Sequence, residues 1–588
     1  MINQMKKSKS EIKEQKEQQV EAIVAEELRD MVLTSEELAE LGKKEQKELT
    51  AEDMKYTALA RLHDFYSYSV GKDNKFKLTI NQYRLINRLR KIGIYRYDVP
   101  GGDGFEYVQI KNGKIHLFEN EQKIIDAFED YVRALPDREV KVQRISYGDV
   151  LTENFTITSR MIQEKLYNGL STYFTTALPR LRPVSDSEVT EISTVHDTKK
   201  VKYMFYKNTA VRITSEGTEL INYDDIHERI KEDDEDNGSY IWDTSIINRE
   251  YFHFPEESKG GEYERLCWYF CGADSEMHES RVKMRMKCLM SILGYMLHDN
   301  YECNNKLALF IDAKIQDGES SGGTGKGLIG KGLQHVTNRN ENDRKYISVG
   351  GKDFDTSKDT RYSAGDLTTK VIHIEDAKRD LNFESLYNDI TEGAIFRKLH
   401  HDPSRHFAKI MISTNCPINI NSSSTRRRVV LFEMSPYFSH KRTPEDVFGH
   451  FLLVKSWPFS EWMAYDNFMV RCVELYMKEG LIDAGMLNYE DNFLKAELGE
   501  AVYNWMQNIG FNLNTIMEKR TAFKMEGLWQ LFNKKYPDKY HVRNSFTKAI
   551  KLYLRTKHIP SGILRSTEDM VIVFPDKNEK LTEIIYQD

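Results

Sequence analysis

A glycine-rich run carries the most specific chemistry in this chain. The apolar segment Leu307 to Asp312 predicts a strand, Asp317-Gly318-Glu319-Ser320-Ser321-Gly322-Gly323-Thr324-Gly325-Lys326-Gly327 follows it, and helix-compatible residues begin at Leu328. Strand, glycine-rich loop and helix in that order suit the phosphates of a nucleotide: backbone N–H groups and the helix amino terminus meet the anion, and a lysine neutralises its outer oxygens. The candidate phosphate-binding residues are Ser321, Gly322, Gly323, Thr324, Gly325, Lys326 and Gly327. The match to G-x-x-x-x-G-K-[ST] departs at two positions. Ser320 stands at the first glycine, where a small residue still makes the turn, and Gly327 replaces the hydroxyl residue that ordinarily ligates magnesium.

Three further groups lie downstream. Val371 to Ile374 predicts an apolar strand with Glu375 and Asp376 at its carboxyl end, a distance from Lys326 that suits another strand of the same parallel sheet. Glu375 is the candidate magnesium-organising acid and metal ligand, and Asp376 the candidate base; a solvated acidic turn is the alternative. Lys409 to Asn415 predicts a third strand, with Asn415 placed to orient a water or sense a γ-phosphate, or simply to form a turn. Between these strands, two short apolar arms about Asp402-Pro403-Ser404 predict a hairpin. Arg397, Lys398, Arg405 and Lys409, with His400, His401 and His406, make it dense in positive charge, which suits a nucleic-acid backbone better than a merely solvated hairpin. Arg426, Arg427 and Arg428 then precede a strand from Val429 to Glu433. A cation at a subunit interface can stabilise the transition state in a neighbour's site, although three consecutive arginines also suit a solvated or DNA-facing patch.

The elements that must hold these groups follow from periodicity and length. The 588 residues predict three or four folding units, and 40% hydrophobic residues supply apolar surface for large cores. Residues 1–55 predict a charged helical arm, 56–260 an α+β region, 261–300 a helical collar, 301–440 the α/β core, 441–511 a helical segment and 512–588 a terminal module of two helices and two strands. Helices are expected near 83–91, 121–135 and 159–175, strands near 94–97, 107–110, 115–118, 201–206 and 210–213, and a solvated loop at Lys231 to Gly238. The Met-rich helices of 262–299 predict core packing.

Composition narrows the function classes. A net charge of -7 argues against a generally basic surface, so any DNA contact must use local positive charge. The longest apolar stretch, Leu289 to Leu297, is too short to span a bilayer, and the charged Met1 to Gln19 lacks the pattern of a secretory signal, so a cytoplasmic protein without membrane contact is expected. Six cysteines fit a reducing compartment. Cys267, Cys271 and His278 could give zinc three ligands, but no C-x-x-C pair or fourth ligand is evident, and buried thiols are expected.

The ordered set of Ser320 to Gly327, Glu375-Asp376, the hairpin about 395–409 and Asn415 resembles the superfamily 3 helicases, AAA+ ring ATPases of viruses, phages and plasmids, especially the poxvirus and phage primase-helicase type. The resemblance covers roughly 270–480, where Thr391-Glu392-Gly393 is similar to the family's T-G-G-D entry into the hairpin. It implies an AAA+ (P-loop ATPase) parallel-sheet core, an N-terminal α+β region and a C-terminal helical and winged-helix region. It further implies ATP and Mg²⁺ as cofactors, an arginine finger at Arg427 or Arg428, and a hexameric homo-oligomer moving on single-stranded DNA or a replication fork in a phage or mobile element's bacterial host, with a primase or polymerase as a possible partner. Residues 512–575 look similar to a winged helix, with Arg543, Lys548, Lys551 and Arg555 able to share a helical side toward DNA. An origin-binding initiator and a nucleotide-binding DNA scaffold with little or no hydrolysis are the alternatives. No acid-plus-histidine priming site is evident in residues 80–250.

Overall fold

The computed structural model describes residues 65–70, 75–98, 105–146, 149–183, 189, 191–254, 260–300, 306–313, 323–338, 343–397, 404–420, 422–508, 521–559, 561–565 and 570–574. The charged arm expected over 1–55 lies outside them. The chain divides into two compact units that exchange in sequence near residue 191 after short excursions at 98–106 and 112–116.

The first unit holds the helices expected near 83–91 and 121–135, at Gln82–Lys91 and Glu121–Arg133, each started by an asparagine, Asn81 or Asn120, whose side chain accepts from a backbone N–H of the first turn. The helical stretch expected over 159–175 is two helices, Ser159–Tyr167 and Leu170–Ala177, with Gly169 as the cap of the second. Phe65, Leu85, Leu89, Phe128, Val132, Leu166 and Phe174 form its buried centre. A long antiparallel hairpin, Arg138–Ser146 with Asp149–Ile157, was not legible in the sequence.

The second unit is built on a five-stranded parallel sheet. Its strands are β1 (Leu307–Asp312), β2 (Tyr346–Gly350), β3 (Val371–Glu375), β4 (Lys409–Ser413) and β5 (Val429–Met434), in the spatial order β2-β3-β4-β1-β5. Every residue of β1 and β4 is buried, as expected of parallel strands covered on both faces. Ala308, Phe310, Met411 and Phe432 face one apolar layer, which includes helices α1 (Glu262–Cys271), α2 (Glu279–Leu297), α3 (Lys326–Thr337) and α4 (Phe459–Glu479). Leu309, Ile372, Ile374, Ile410 and Ile412 face the other layer with Tyr489 and Phe493. The chain is therefore an α/β protein with helices on both faces of a parallel sheet.

Strands Lys202–Tyr206 and Ala210–Ile213 place Met204, Tyr206, Val211 and Ile213 in the same core as α1 and α2. The Met-rich helices pack as expected, with Met286 and Met296 buried, and Gly294 of α2 lies so close to α4 that a Cβ there would fall 2.1 Å from the Cys472 carbonyl oxygen. Cys267 and Cys271 are buried thiols whose pKa values burial drives up, Cys271 Sγ lying 3.9 Å from Met286 Sδ. His278 instead caps α2, with Nδ1 2.7 Å from the Ser280 hydroxyl.

The expectation of a solvated loop at 231–238 is corrected. Helix Ile226–Asp233 takes its first three residues, and the Asp233 carboxylate accepts from Arg212 Nη2 at 2.6 Å and Nε at 2.8 Å. Opposite charge on a neighbouring strand outweighs the solvation of the acidic run.

The chain's last described segment has a three-stranded antiparallel sheet, Thr521–Lys524, Met570–Phe574 and Gly562–Arg565, with α5 (Met525–Lys535) and α6 (Arg543–Thr556). The first of those strands adds to the expected helix, helix, strand, strand order. Phe532, Phe546, Ile550, Tyr553 and Ile572 form its core, closed by Trp505.

Candidate functional site

The carboxyl ends of β1, β3 and β4 converge on one edge of the sheet, and β1 leads through the glycine-rich loop into α3. Open α/β sheets place their ligands beyond the carboxyl ends of strands, where the strand order reverses. Here β1 sits between β4 and β5, so the chain leaves it in one direction for β2 and returns past it to β5.

Within the loop, Ser321 and Gly322 lie outside the described residues. Gly323 and Gly325 have φ of 99° and 89°, a left-handed backbone that glycine adopts without steric cost. A Cβ on Gly325 would also meet the Phe270 ring at 2.8 Å. Lys326 opens α3 and is buried, its Nζ donating to Asp312 Oδ1 at 2.6 Å and to the Thr324 hydroxyl at 3.1 Å. Thr324 donates to the same Asp312 oxygen at 2.6 Å, while buried Asp312 Oδ2 has no hydrogen-bond partner among the described residues. Gly327 follows on the first turn of α3, and among the described residues a Cβ there would meet only Glu375 Oε1, at 3.5 Å.

The acid pair terminates β3. Glu375 is exposed and accepts from the Ser348 hydroxyl of β2 at 3.0 Å. Asp376 adopts φ of 58°, which Asp tolerates better than most residues, and turns its carboxylate toward Asn415, whose Nδ2 donates to Oδ1 at 3.2 Å. Lys352 Nζ lies 3.3 Å from the other Asp376 oxygen, an exposed pair that contributes little to stability. Strands β3 and β4 are tied at this edge: Ala377 N–H donates to the Ser413 carbonyl at 2.9 Å, and the buried Thr414 hydroxyl donates to the Ala377 carbonyl at 2.7 Å. The structure thus brings together Lys326, Gly327, Glu375, Asp376 and Asn415 at one sheet edge.

Beneath them runs a buried polar chain. His373 Nδ1 is 2.6 Å from the Tyr346 hydroxyl and its Nε2 2.9 Å from the Ser413 hydroxyl, linking β2, β3 and β4. Burial pushes the His373 pKa down to about 4, so the imidazole is neutral. Asp312, Ser348 and Lys352 were not singled out in the sequence. Of these, only Asp312 carried a signal, as an acid ending an apolar strand directly before a glycine-rich loop.

The arginine run divides. Arg428 stacks on the Tyr387 ring at 4.6 Å and donates to Ser424, and Arg426 Nη1 is 3.2 Å from His558 Nε2. Arg427 is exposed, and its side chain makes no hydrogen bond or ion pair among the described residues.

The expected hairpin is present as Ala394–Phe396 paired antiparallel with Ser404–His406. Gly393 at its entry has φ of 93°, and a Cβ there would fall 2.9 Å from the His406 carbonyl oxygen. Tyr387–Thr391, the short helix before it, is anchored by buried Asp389, which Arg361 Nη2 meets at 2.7 Å and the Tyr362 hydroxyl at 2.9 Å. Arg397 bonds Asp359 at 3.1 Å on the surface, and Arg405 is exposed. Lys398, His400 and His401 lie outside the described residues. Lys409 is a correction: it begins β4, is 5% exposed, and holds its ammonium 3.5 Å from the centre of the Tyr295 ring, out of reach of a nucleic-acid backbone. His406 likewise stacks on Phe396 at 4.0 Å, and burial pushes its pKa down to about 4.

On α6, Lys548, Lys551 and Arg555 are exposed on the side opposite Phe546, Ala549, Ile550 and Tyr553. Arg543 is half-buried and meets Glu526 at 3.1 Å. Among the described residues no helix is long and apolar enough to cross a membrane, and no cluster of three His, Cys, Asp or Glu could hold a metal.

No family model matches the chain, and no curated protein matches it. Among solved structures it is similar to the A-form apo structure of the NrS-1 C-terminal region, at 12% identity over 64% of this chain and 96% of that chain, with a TM-score of 0.29. An apo structure of the same region, residues 305–718, aligns at 12% identity over the same shares with a TM-score of 0.27.

Proposed function

We propose that this protein is an ATP-hydrolysing DNA helicase of the superfamily 3 type, with an AAA+ core, acting as a hexameric ring on single-stranded DNA in replication. The observation that carries the reading is the meeting of Lys326, Glu375, Asp376 and Asn415 at the carboxyl edge of one parallel sheet, although they come from three separate strand ends. The residues present fit a nucleotide and its metal. Positive-φ glycines bracket Thr324, the Lys326 ammonium is held ready at the start of α3, and the first turn of α3 is open toward Glu375.

In this reading the loop from Ser321 to Gly327 holds the phosphates, and Lys326 exchanges Asp312 for phosphate oxygens. Glu375, fixed by Ser348, would hold Mg²⁺, which supplies charge neutralisation at the phosphates when bound. Asp376 accepts the proton of an attacking water, and Asn415 orients both. Arg427 is the better placed of the two finger candidates, because Arg428 is already committed to Tyr387 and Ser424. The hairpin carrying Arg397, Lys398 and Arg405 contacts the DNA backbone, and the α6 face of Lys548, Lys551 and Arg555 supports a winged-helix role for the last module.

The test is ATP turnover with Mg²⁺, with and without single-stranded DNA, beside Lys326→Ala and a Glu375→Gln, Asp376→Asn double variant. DNA-stimulated turnover lost in both variants is expected, with ATP binding lost in Lys326→Ala alone. Full turnover in Lys326→Ala would remove the loop from the mechanism. A second reading, a nucleotide-binding scaffold that assembles on DNA, is favoured by Gly327, which leaves the metal without a protein hydroxyl; ATP binding without turnover is its mark.

A further inference from the structure

At the opposite, amino-terminal edge of the same sheet lies a cavity of about 110 Å³. Its walls include the last turn of α3, Val336 and Thr337, and the residues that immediately precede β2 and β3, Lys345 and Lys370. Lys202, Asp197, Asp299 and His196 complete its basic and acidic lining, so three lysines face two carboxylates and one imidazole.

The carboxylates are already engaged. Asp197 Oδ2 lies 2.8 Å from Lys202 Nζ and accepts from the Asp299 N–H at 2.7 Å. Asp299 Oδ2 lies 3.5 Å from Lys202 Nζ and 3.9 Å from Lys370 Nζ. Lys345 is different. It is 7% exposed, its Nζ donates to the Ser245 hydroxyl at 2.6 Å, and among the described residues no carboxylate lies within ion-pair distance of it. One hydroxyl satisfies one of three N–H groups. Burying an ammonium is costly; the nearby charges of Asp299 and Asp197 offset part of that cost without pairing to Lys345, and an anion beside it would offset more.

We propose that this cavity binds a small tetrahedral oxyanion, of the phosphate or sulfate class, held by Lys345 and Lys370 with the Ser245 hydroxyl beside them. The size fits an ion of a few heavy atoms. The cavity is smaller than the roughly 150 Å³ that admits benzene and is too small to enclose a nucleoside. The state of Lys345 agrees with this assignment: burial pushes its pKa down to about 7, Asp299 and Asp197 oppose that shift, and Lys370 and Lys202 add to it. His298, buried and bonded to the Thr198 carbonyl, has its pKa lowered by burial. An anion entering above pH 7 therefore draws a proton onto Lys345.

The experiment titrates the full chain, carrying Lys326→Ala to remove anion binding at the glycine-rich loop, with sulfate at pH 8 by calorimetry in two buffers of different ionisation enthalpy. Saturable binding with proton uptake is expected. Adding Lys345→Met should weaken binding at least tenfold and abolish the uptake, while thermal unfolding reports that the fold persists. If Lys345→Met does not fold, Lys370→Met serves in its place and should weaken binding severalfold. No saturable binding up to tens of millimolar sulfate would overturn the proposal. Binding that survives these substitutions without proton uptake would overturn it equally, marking an adventitious ion only. Methyl phosphate beside inorganic phosphate separates the sources: equal affinity assigns the phosphoryl end of a larger molecule, and loss with the ester assigns the free ion.

Discussion

Among the described residues, a Cβ at Gly327 would meet the Glu375 carboxylate alone, in ordinary van der Waals contact. Gly327→Ser should therefore add a hydroxyl without displacing a neighbour, within reach of the acid proposed to hold Mg²⁺, and should stabilise α3 by about 0.5 kcal/mol through helix propensity. The expected outcome is a severalfold lower Mg²⁺ concentration for half-maximal turnover; an unaltered Mg²⁺ dependence would show that the hydroxyl does not reach the metal. The two finger candidates separate in the same way. Arg427→Ala should abolish turnover with little change in melting temperature, whereas Arg428→Ala should cost about 1 kcal/mol by losing its stacking on Tyr387. Lys326, Asp376 and Asn415 were legible because each sits at a recognisable junction of apolar strand and polar loop. Lys409 was misread because the rings that enclose it, Tyr295 and Tyr476, lie far away in sequence. Local charge density carries no information about such neighbours.

Helix α3 packs on the sheet through Ile329, Leu333 and Val336, and its glycines let it approach Tyr346 and His373 of the sheet and Tyr263 of α1 closely. A Cβ at Gly330 would fall 2.4 Å from the Tyr346 hydroxyl and 2.8 Å from His373 Nδ1, and one at Gly332 would fall 2.0 Å from the Tyr263 hydroxyl. Gly330→Ala should cost about 1–3 kcal/mol by overpacking, despite the better helix propensity of alanine. Denaturant titration gives the sign: a stabilised protein would mean that α3 can shift without strain. The sequence made the order of strand, loop and helix visible because β1, β3 and β4 are continuous apolar runs. It hid β2, Tyr346–Gly350, whose burial fades along its length, and with it the Ser348 contact to Glu375. It also hid the pairing of Asp233 with Arg212, since a charge run looks the same whether water or a guanidinium solvates it.

Across the whole chain, His335, His373 and His406 all have pKa values pushed down to about 4, with burial the largest cause. Their unfolded pKa is about 6.5, so the unfolded state binds more protons between those values. Their contribution to stability is complete above about pH 6.5 and declines as pH falls toward 4, by up to ~1.4 kcal/mol per pH unit for each histidine. The urea midpoint should drop between pH 7 and pH 5, and a midpoint flat over that range would refute the neutral buried state. The net charge of -7 sets a second whole-molecule condition, since a polyanion approaching the glycine-rich loop meets overall repulsion. The one lysine in the loop offers little local relief, because its charge is already neutralised by Asp312. Under the proposed function, nucleotide capture should consequently be slow for its affinity and slower still at low ionic strength, where the repulsion is less screened. In that reading the contribution of Lys326 would emerge after the exchange of partners, in the residence time of the complex rather than in the rate of encounter.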